Sequence, residues 1–193
     1  MSSGHATRGE ILTAFNKTHQ KVLVKVEQLD RALTNFQFEG KSSQGRNLKR
    51  IRSVLKFFQE ELIDHIELEE QIVFPFLESH IPKLELVIQV LRSEHEDLRR
   101  NLGDLQLFLN VLSDGKSQTT HSKIVHKILE TGTYLIYLLR NHIRIEDKSV
   151  YEAVDRSLKF NEKKQLECQV RKSVKKCNLN AKIAIGRSKL ATK

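Results

Sequence analysis

Tryptophan is absent from this 193-residue chain, proline occurs only as Pro75 and Pro82, and methionine occurs once. So few prolines leave long stretches uninterrupted. With Leu, Ile, Val, Lys, Glu and Gln abundant, the composition favours helix over sheet. Two cysteines, Cys168 and Cys177, are too few for a disulfide scaffold and fit a reducing interior. No run of roughly 18 apolar residues is present, so no membrane span is expected. The opening MSSGHATRGE lacks the charged and apolar regions of a secretory signal, and a cytoplasmic location is the expectation. There is no nucleophile triad and no phosphate-binding loop.

The net charge of +9 is unevenly placed. Residues 1–158 hold 22 basic and 22 acidic side chains, whereas residues 159–193 hold 11 and 2. A neutral core domain, 1–158, is therefore expected to carry a basic C-terminal tail, 159–193.

Four segments have the apolar spacing of long amphipathic helices. The first, about 8–38, opens on a capping box, Thr7 to Glu10, and carries Leu12, Phe15, His19, Val22, Val26, Leu29 and Leu33 on one stripe. A loop is expected at EGKSSQG, 39–45. The second helix, about 46–78, carries Ile51, Val54, Phe58, Leu62, His65, Glu69 and Ile72, with a bend expected at Pro75. The third, from Pro82 to about Leu112, carries Leu84, Val87, Leu91, His95, Leu98, Leu102, Leu105 and Leu109. After a loop at SDGKSQ, 113–118, the fourth runs to about Leu158 with Ile124, Ile128, Leu135, Leu138, His142, Ile145, Glu146 and Ala153 inward. The expected fold is all-α, an up-and-down antiparallel four-helix bundle. Leu166, Val170 and Val174 suggest a short fifth helix, followed by a loose end.

One repeat stands out. HIELE at His65 and HIRIE at His142 both place a glutamate four positions after the histidine, at Glu69 and Glu146. Each is preceded by a further inward histidine, His19 by 46 residues and His95 by 47. Two helical hairpins related by a pseudo-twofold axis would bring all six side chains together.

Residues four apart share a helix face. Two carboxylates buried among Leu, Val, Ile and Phe would each cost several kcal/mol without compensation. A pair of metal ions compensates for all six groups together, as in other bundle cores. Four imidazoles and two bridging carboxylates supply about four donors per metal, and a bridging oxide or hydroxide a fifth, leaving a position open on iron for a small ligand. Manganese and zinc also accept such donors. A lone His-x-x-x-Glu is more often a surface ion pair, and a lone inward histidine a hydrogen-bonded core residue. What argues otherwise here is that every helix supplies one histidine at matching depth. His5, His80, His121 and His126 fall in turns, far along the axis or on the opposite face, and are read as surface residues.

The stretches NKTHQKVLVKVEQL, DHIELEEQIVFPFL, SEHEDLRRNL and NHIRIEDKSVYEAV make residues 8–157 resemble the hemerythrin-like HHE cation-binding domains. That resemblance implies a non-haem di-iron centre, with His19 and His65 on one iron, His95 and His142 on the other, and Glu69 and Glu146 bridging. Oxygen-carrying hemerythrins have a second histidine one turn after the first on the third helix. Here that position is Arg99, which leaves two nearly equivalent irons and looks more like the sensor and iron-centre repair branches. Arg99 is expected to reach solvent or a bundle carboxylate such as Glu61. The usual LFP after the last ligand pair is Val150, Tyr151 and Glu152, so the fourth helix is expected to continue straight.

The resulting expectation is binding or reduction of a small oxidant (oxygen, nitric oxide or peroxide) in sensing, detoxification or iron-centre repair. A proton source would come from Tyr134, Tyr137, Tyr151 or Glu61. Two other functions stay open: a redox- or iron-responsive module that touches a protein or nucleic acid through the basic tail, and iron storage or delivery.

Overall fold

The computed structural model describes residues 10–39, 41–113 and 118–174, and every element among them is helical. Helix α1 is Glu10–Phe38. Helix α2 runs without a break over 41–80. In it, α-helical Lys41–Phe57, Ile63–Leu68 and Phe74–His80 alternate with π-turns at Phe58–Leu62 and Glu69–Val73. The turn Pro82–Leu84 leads into helix α3, Glu85–Ser113. Helix α4 covers 118–157, with a π-turn at Glu146–Tyr151 between Gln118–Ile145 and Glu152–Ser157. Leu158 is extended, and helix α5 covers 160–174.

Contacts along the long helices fix their directions. Between α1 and α2, His19 meets His65, Lys25 lies over the Phe57 ring, and Glu39 meets Asn47. Between α2 and α3, Arg52 meets Asn110, Glu70 meets Arg99, and Glu78 meets Arg92. Between α3 and α4, His95 meets His142 and Phe108 meets Lys127. Between α4 and α1, Asp147 meets His19 and Arg140 meets Glu27. In each pair one number rises as the other falls, so four antiparallel helices close a ring, as the apolar stripes predict.

Several boundaries differ from the sequence reading. The 39–45 stretch is mostly helix, with α2 beginning at Lys41. A helical glycine costs only about 1 kcal/mol, and a Cβ at Gly45 would meet nothing within 4 Å, so no packing forces the chain out of helix there. The capping box at Thr7, His5, loop residues 114–117, Cys177 and the chain after 174 lie outside the described residues. Helix α2 continues through Pro75 to His80. The π-turn before it sends the Phe74 N–H to the carbonyl of Glu69, so Pro75, which has no N–H, enters at the start of a fresh α-helical turn.

The fourth helix, expected to be regular for want of proline, carries a π-turn at the matching place. A π-turn holds one extra residue and therefore rotates everything beyond it. Val73 is buried where Ile72 was expected, and Val154 where Ala153 was, both expected residues being half-buried.

Two apolar clusters result. One lies between Val22–Phe36 of α1, Ile51–Ile66 of α2, Leu98–Leu109 of α3 and Ile128–Ile143 of α4. The other gathers Leu12, Phe15, Phe74, Leu77, Ile88, Leu91, Val150, Tyr151 and Val154, together with Leu166 and Val170 of α5. The fifth helix thus rests on the bundle through its apolar side, while Val174 and Phe160 stay exposed. Along every long helix the inward histidine falls between the two clusters.

Candidate metal centre

His19, His65, Glu69, His95, His142 and Glu146 are all buried, His65 least at 9% exposure. The helical hairpins place them in a single polar layer. The Nε2 atoms of His19 and His65 lie 3.0 Å apart, and those of His95 and His142 also 3.0 Å. Each glutamate spans the two pairs. Glu69 presents Oε1 to His65 Nε2 at 3.2 Å and Oε2 to His95 Nε2 at 3.7 Å. Glu146 presents Oε2 to His19 Nε2 at 3.1 Å and Oε1 to His142 Nε2 at 3.3 Å. Two groups able to hold a metal ion follow, one with His19 and His65, one with His95 and His142, and both include Glu69 and Glu146.

The outer nitrogens are held by carboxylates. His19 Nδ1 lies 2.9 Å from Asp147 Oδ1, His95 Nδ1 2.9 Å from Glu70 Oε1, and His142 Nδ1 2.8 Å from Glu94 Oε2. A carboxylate accepting from Nδ1 fixes the tautomer and leaves the Nε2 lone pair facing inward. In the His95–His142 pair two such lone pairs, 3.0 Å apart, repel each other unless a cation lies beside both.

Protons are one such cation. Burial works to lower the His19 pKa, but Asp147 and Glu146 outweigh it and raise it to about 9. Burial likewise opposes, and Glu146 and Glu94 prevail, at His142, which is pushed up to about 10. His95 moves the other way, held below the usual histidine range by burial and by neighbouring His142. Glu146 stays well below the carboxylate range against its burial because of His142 and His19.

A metal is the better fit. Glu69 Oε2 and both carboxylate oxygens of Glu146 are buried without a hydrogen-bond partner. Orphaned buried carboxylate oxygens are costly, and a cation shared by the two glutamates satisfies all three. The donors, imidazole and carboxylate, suit iron, manganese or zinc.

The surroundings obey the pseudo-twofold only in part. Phe74 stacks on His95, with ring centroids 5.6 Å apart and planes at 10°. At the matching place Tyr151 stacks on His19 at 5.5 Å and 21°. Its hydroxyl, which Phe74 lacks, donates to Glu69 Oε1 at 2.7 Å. Burial and the nearby Glu69 and Glu146 push this phenol well above its ordinary pKa, so it is a donor.

Of the expected proton sources, Tyr151 alone reaches the layer. Tyr134 and Tyr137 are 42% and 66% exposed, and Glu61 is exposed, because the helical turn carries each outward. Arg99 pairs with Glu70, not with Glu61: Nη1 donates to Oε1 at 3.0 Å and Nη2 to Oε2 at 2.7 Å. Glu70 extends from α2 directly across from Arg99, while Glu61 points to solvent. Arg99 thus steadies the carboxylate that holds His95. His80, His121 and His126 are exposed, as expected.

Glu70, Asp147 and Glu94 were not singled out from the sequence, since charged residues beside a buried stripe look like a solvated face. The repeat did contain a signal: an acid follows each of Glu69 and Glu146. The two π-turns that begin at those glutamates swing that next residue across to a histidine of the other hairpin.

No curated protein gives a significant match to the chain. The family model described as the hemerythrin HHE cation binding domain matches residues 10–154, a span that contains all six clustered residues. With most of its length inside that match and a His/Glu group able to hold a cation at its centre, this chain belongs to the hemerythrin HHE cation-binding domain family.

Proposed function

We propose that residues 1–158 hold two non-haem irons, one between His19 and His65 and one between His95 and His142, bridged by Glu69 and Glu146. The observation that carries this reading is the spanning pose of the glutamates, each with one oxygen toward each histidine pair and three of the four oxygens unpartnered. When bound, such a pair supplies redox chemistry toward oxygen, nitric oxide or peroxide, in sensing, detoxification or iron-centre repair.

The chain's own residues prepare that centre. Asp147, Glu70 and Glu94 orient three imidazoles, Phe74 and Tyr151 wall the layer, and Phe15 packs its ring 5.0 Å from His65, which limits water. Arg99 has donors only and cannot ligate. It therefore leaves one fewer ligand than a carrier with an added histidine would have, which favours reaction with an oxidant over its storage.

The test is metal analysis of the purified protein with absorption spectra before and after reduction and exposure to air. About two irons per chain are expected, with the reduced spectrum not restored when oxygen is pumped away. One zinc, or no metal after anaerobic reconstitution with ferrous iron, would overturn the di-iron reading. Recovery of the reduced spectrum under vacuum would overturn the non-carrier reading.

A further inference from the structure

The internal repeat makes the two halves of the centre comparable residue by residue, and the comparison shows where they differ. Glu94, which holds His142 Nδ1, corresponds to Thr18, each standing immediately before an inward histidine. Thr18 instead turns its hydroxyl to the Ala14 carbonyl at 3.3 Å. Among the described residues, His65 Nδ1 consequently has no carboxylate partner. The second difference is that Phe74 is matched by Tyr151, and the Tyr151 hydroxyl donates to the Glu69 oxygen that faces His65.

Both differences act on the same half. A carboxylate on Nδ1 makes an imidazole a stronger donor, and losing such a partner typically weakens metal binding about 10- to 100-fold. A hydrogen bond to a carboxylate oxygen draws charge from it and makes it a poorer ligand. The His95/His142 half has both imidazoles backed, one through the Arg99–Glu70 pair. It also has a glutamate oxygen, Glu69 Oε2, that nothing else engages. The His19/His65 half has one imidazole unbacked and one carboxylate oxygen already engaged.

We propose that the two metal positions are unequal, that the His95/His142 position fills first, and that Tyr151 and Thr18 are the positioning residues that weaken the other. This rests on the two-metal reading above and departs from the near-equivalence that the ligands alone suggest.

The experiment adds zinc(II), a diamagnetic probe, to the metal-free full chain with nitrogen-15-labelled histidines. Ring-nitrogen resonances assigned by single His→Gln variants are followed through the titration. At one equivalent, His95 and His142 should be shifted with about 10-fold preference over His19 and His65, and the second pair should follow with the second equivalent. Tyr151→Phe should narrow that preference, and Tyr151→Phe combined with Thr18→Glu should narrow it further. Both pairs moving in step in the parent chain would overturn the inequality while leaving two metal positions intact. A preference unchanged in Tyr151→Phe and in the double variant would overturn the roles of these residues. Failure of any inward histidine to shift by two equivalents would overturn the two-metal reading itself.

Discussion

A histidine whose proton is held by a buried carboxylate couples metal uptake to pH. His19 and His142 are raised to about 9 and about 10, above the ordinary 6.5, in the metal-free centre. A raised pKa means that the folded state binds the proton more tightly than the unfolded chain does. That contribution is complete below about pH 6.5 and disappears as the pH climbs through 9 to 10. Metal-free protein should therefore melt at falling temperature across that window, whereas metal-loaded protein, with no inward proton to lose, should not. Zinc binding at pH 7.5 should release protons, seen as a calorimetric enthalpy that changes with the ionisation heat of the buffer. A buffer-independent enthalpy would show that the inward nitrogens are already bare. The six inward residues were legible because few side chains ionise and repeat at one depth, and charges buried at that depth demand a compensating cation. Their orienting acids were harder to see, since the one trace of Glu70 is the acid that follows each repeat glutamate, and its role shows only once Arg99 and His95 are found on either side of it.

At the level of elements, helix lengths and apolar stripes were readable from periodicity, but the π-turns were not. Two of the three begin where a buried glutamate faces inward while its neighbour faces across, a demand set by tertiary contacts. Hence the prediction of a bend at Pro75 and a straight fourth helix looked to the proline, although both helices break α-helical register at the glutamate. Glycines test packing between elements more directly. A Cβ at Gly103, on the exposed side of α3, would meet nothing within 4 Å. Gly103→Ala should therefore stabilise by about 1 kcal/mol, or about 2–4 °C in melting temperature. At Gly132 the same Cβ would lie 2.6 Å from Leu33 Cδ1, a buried side chain where α1 and α4 approach. Gly132→Ala should show no such gain, and an equal rise in both variants would mean that Leu33 yields freely.

Across the whole molecule, the neutral body and basic tail predicted from charge do not divide cleanly in space. Helix α5 buries Leu166 and Val170 against the cluster that contains Phe15 and Tyr151. Removing residues 159–193 should cost about 3 kcal/mol, from roughly 1.5 kcal/mol for each buried aliphatic side chain. Chemical denaturation would show this as a lower urea midpoint, with metal content retained because all six clustered residues precede the cut. An unchanged midpoint would show that α5 rests on the bundle without stabilising it. The deeper consequence comes from the polar layer between the two apolar clusters. Ordinary bundles are sewn together by continuous oil along their axis, but here a stratum of charge interrupts it. A metal bound there would act as a rivet through that seam, coupling the two ends of the bundle. Stripped of metal, the seam becomes a fault line, and amide exchange should show the α5 end opening before the rest.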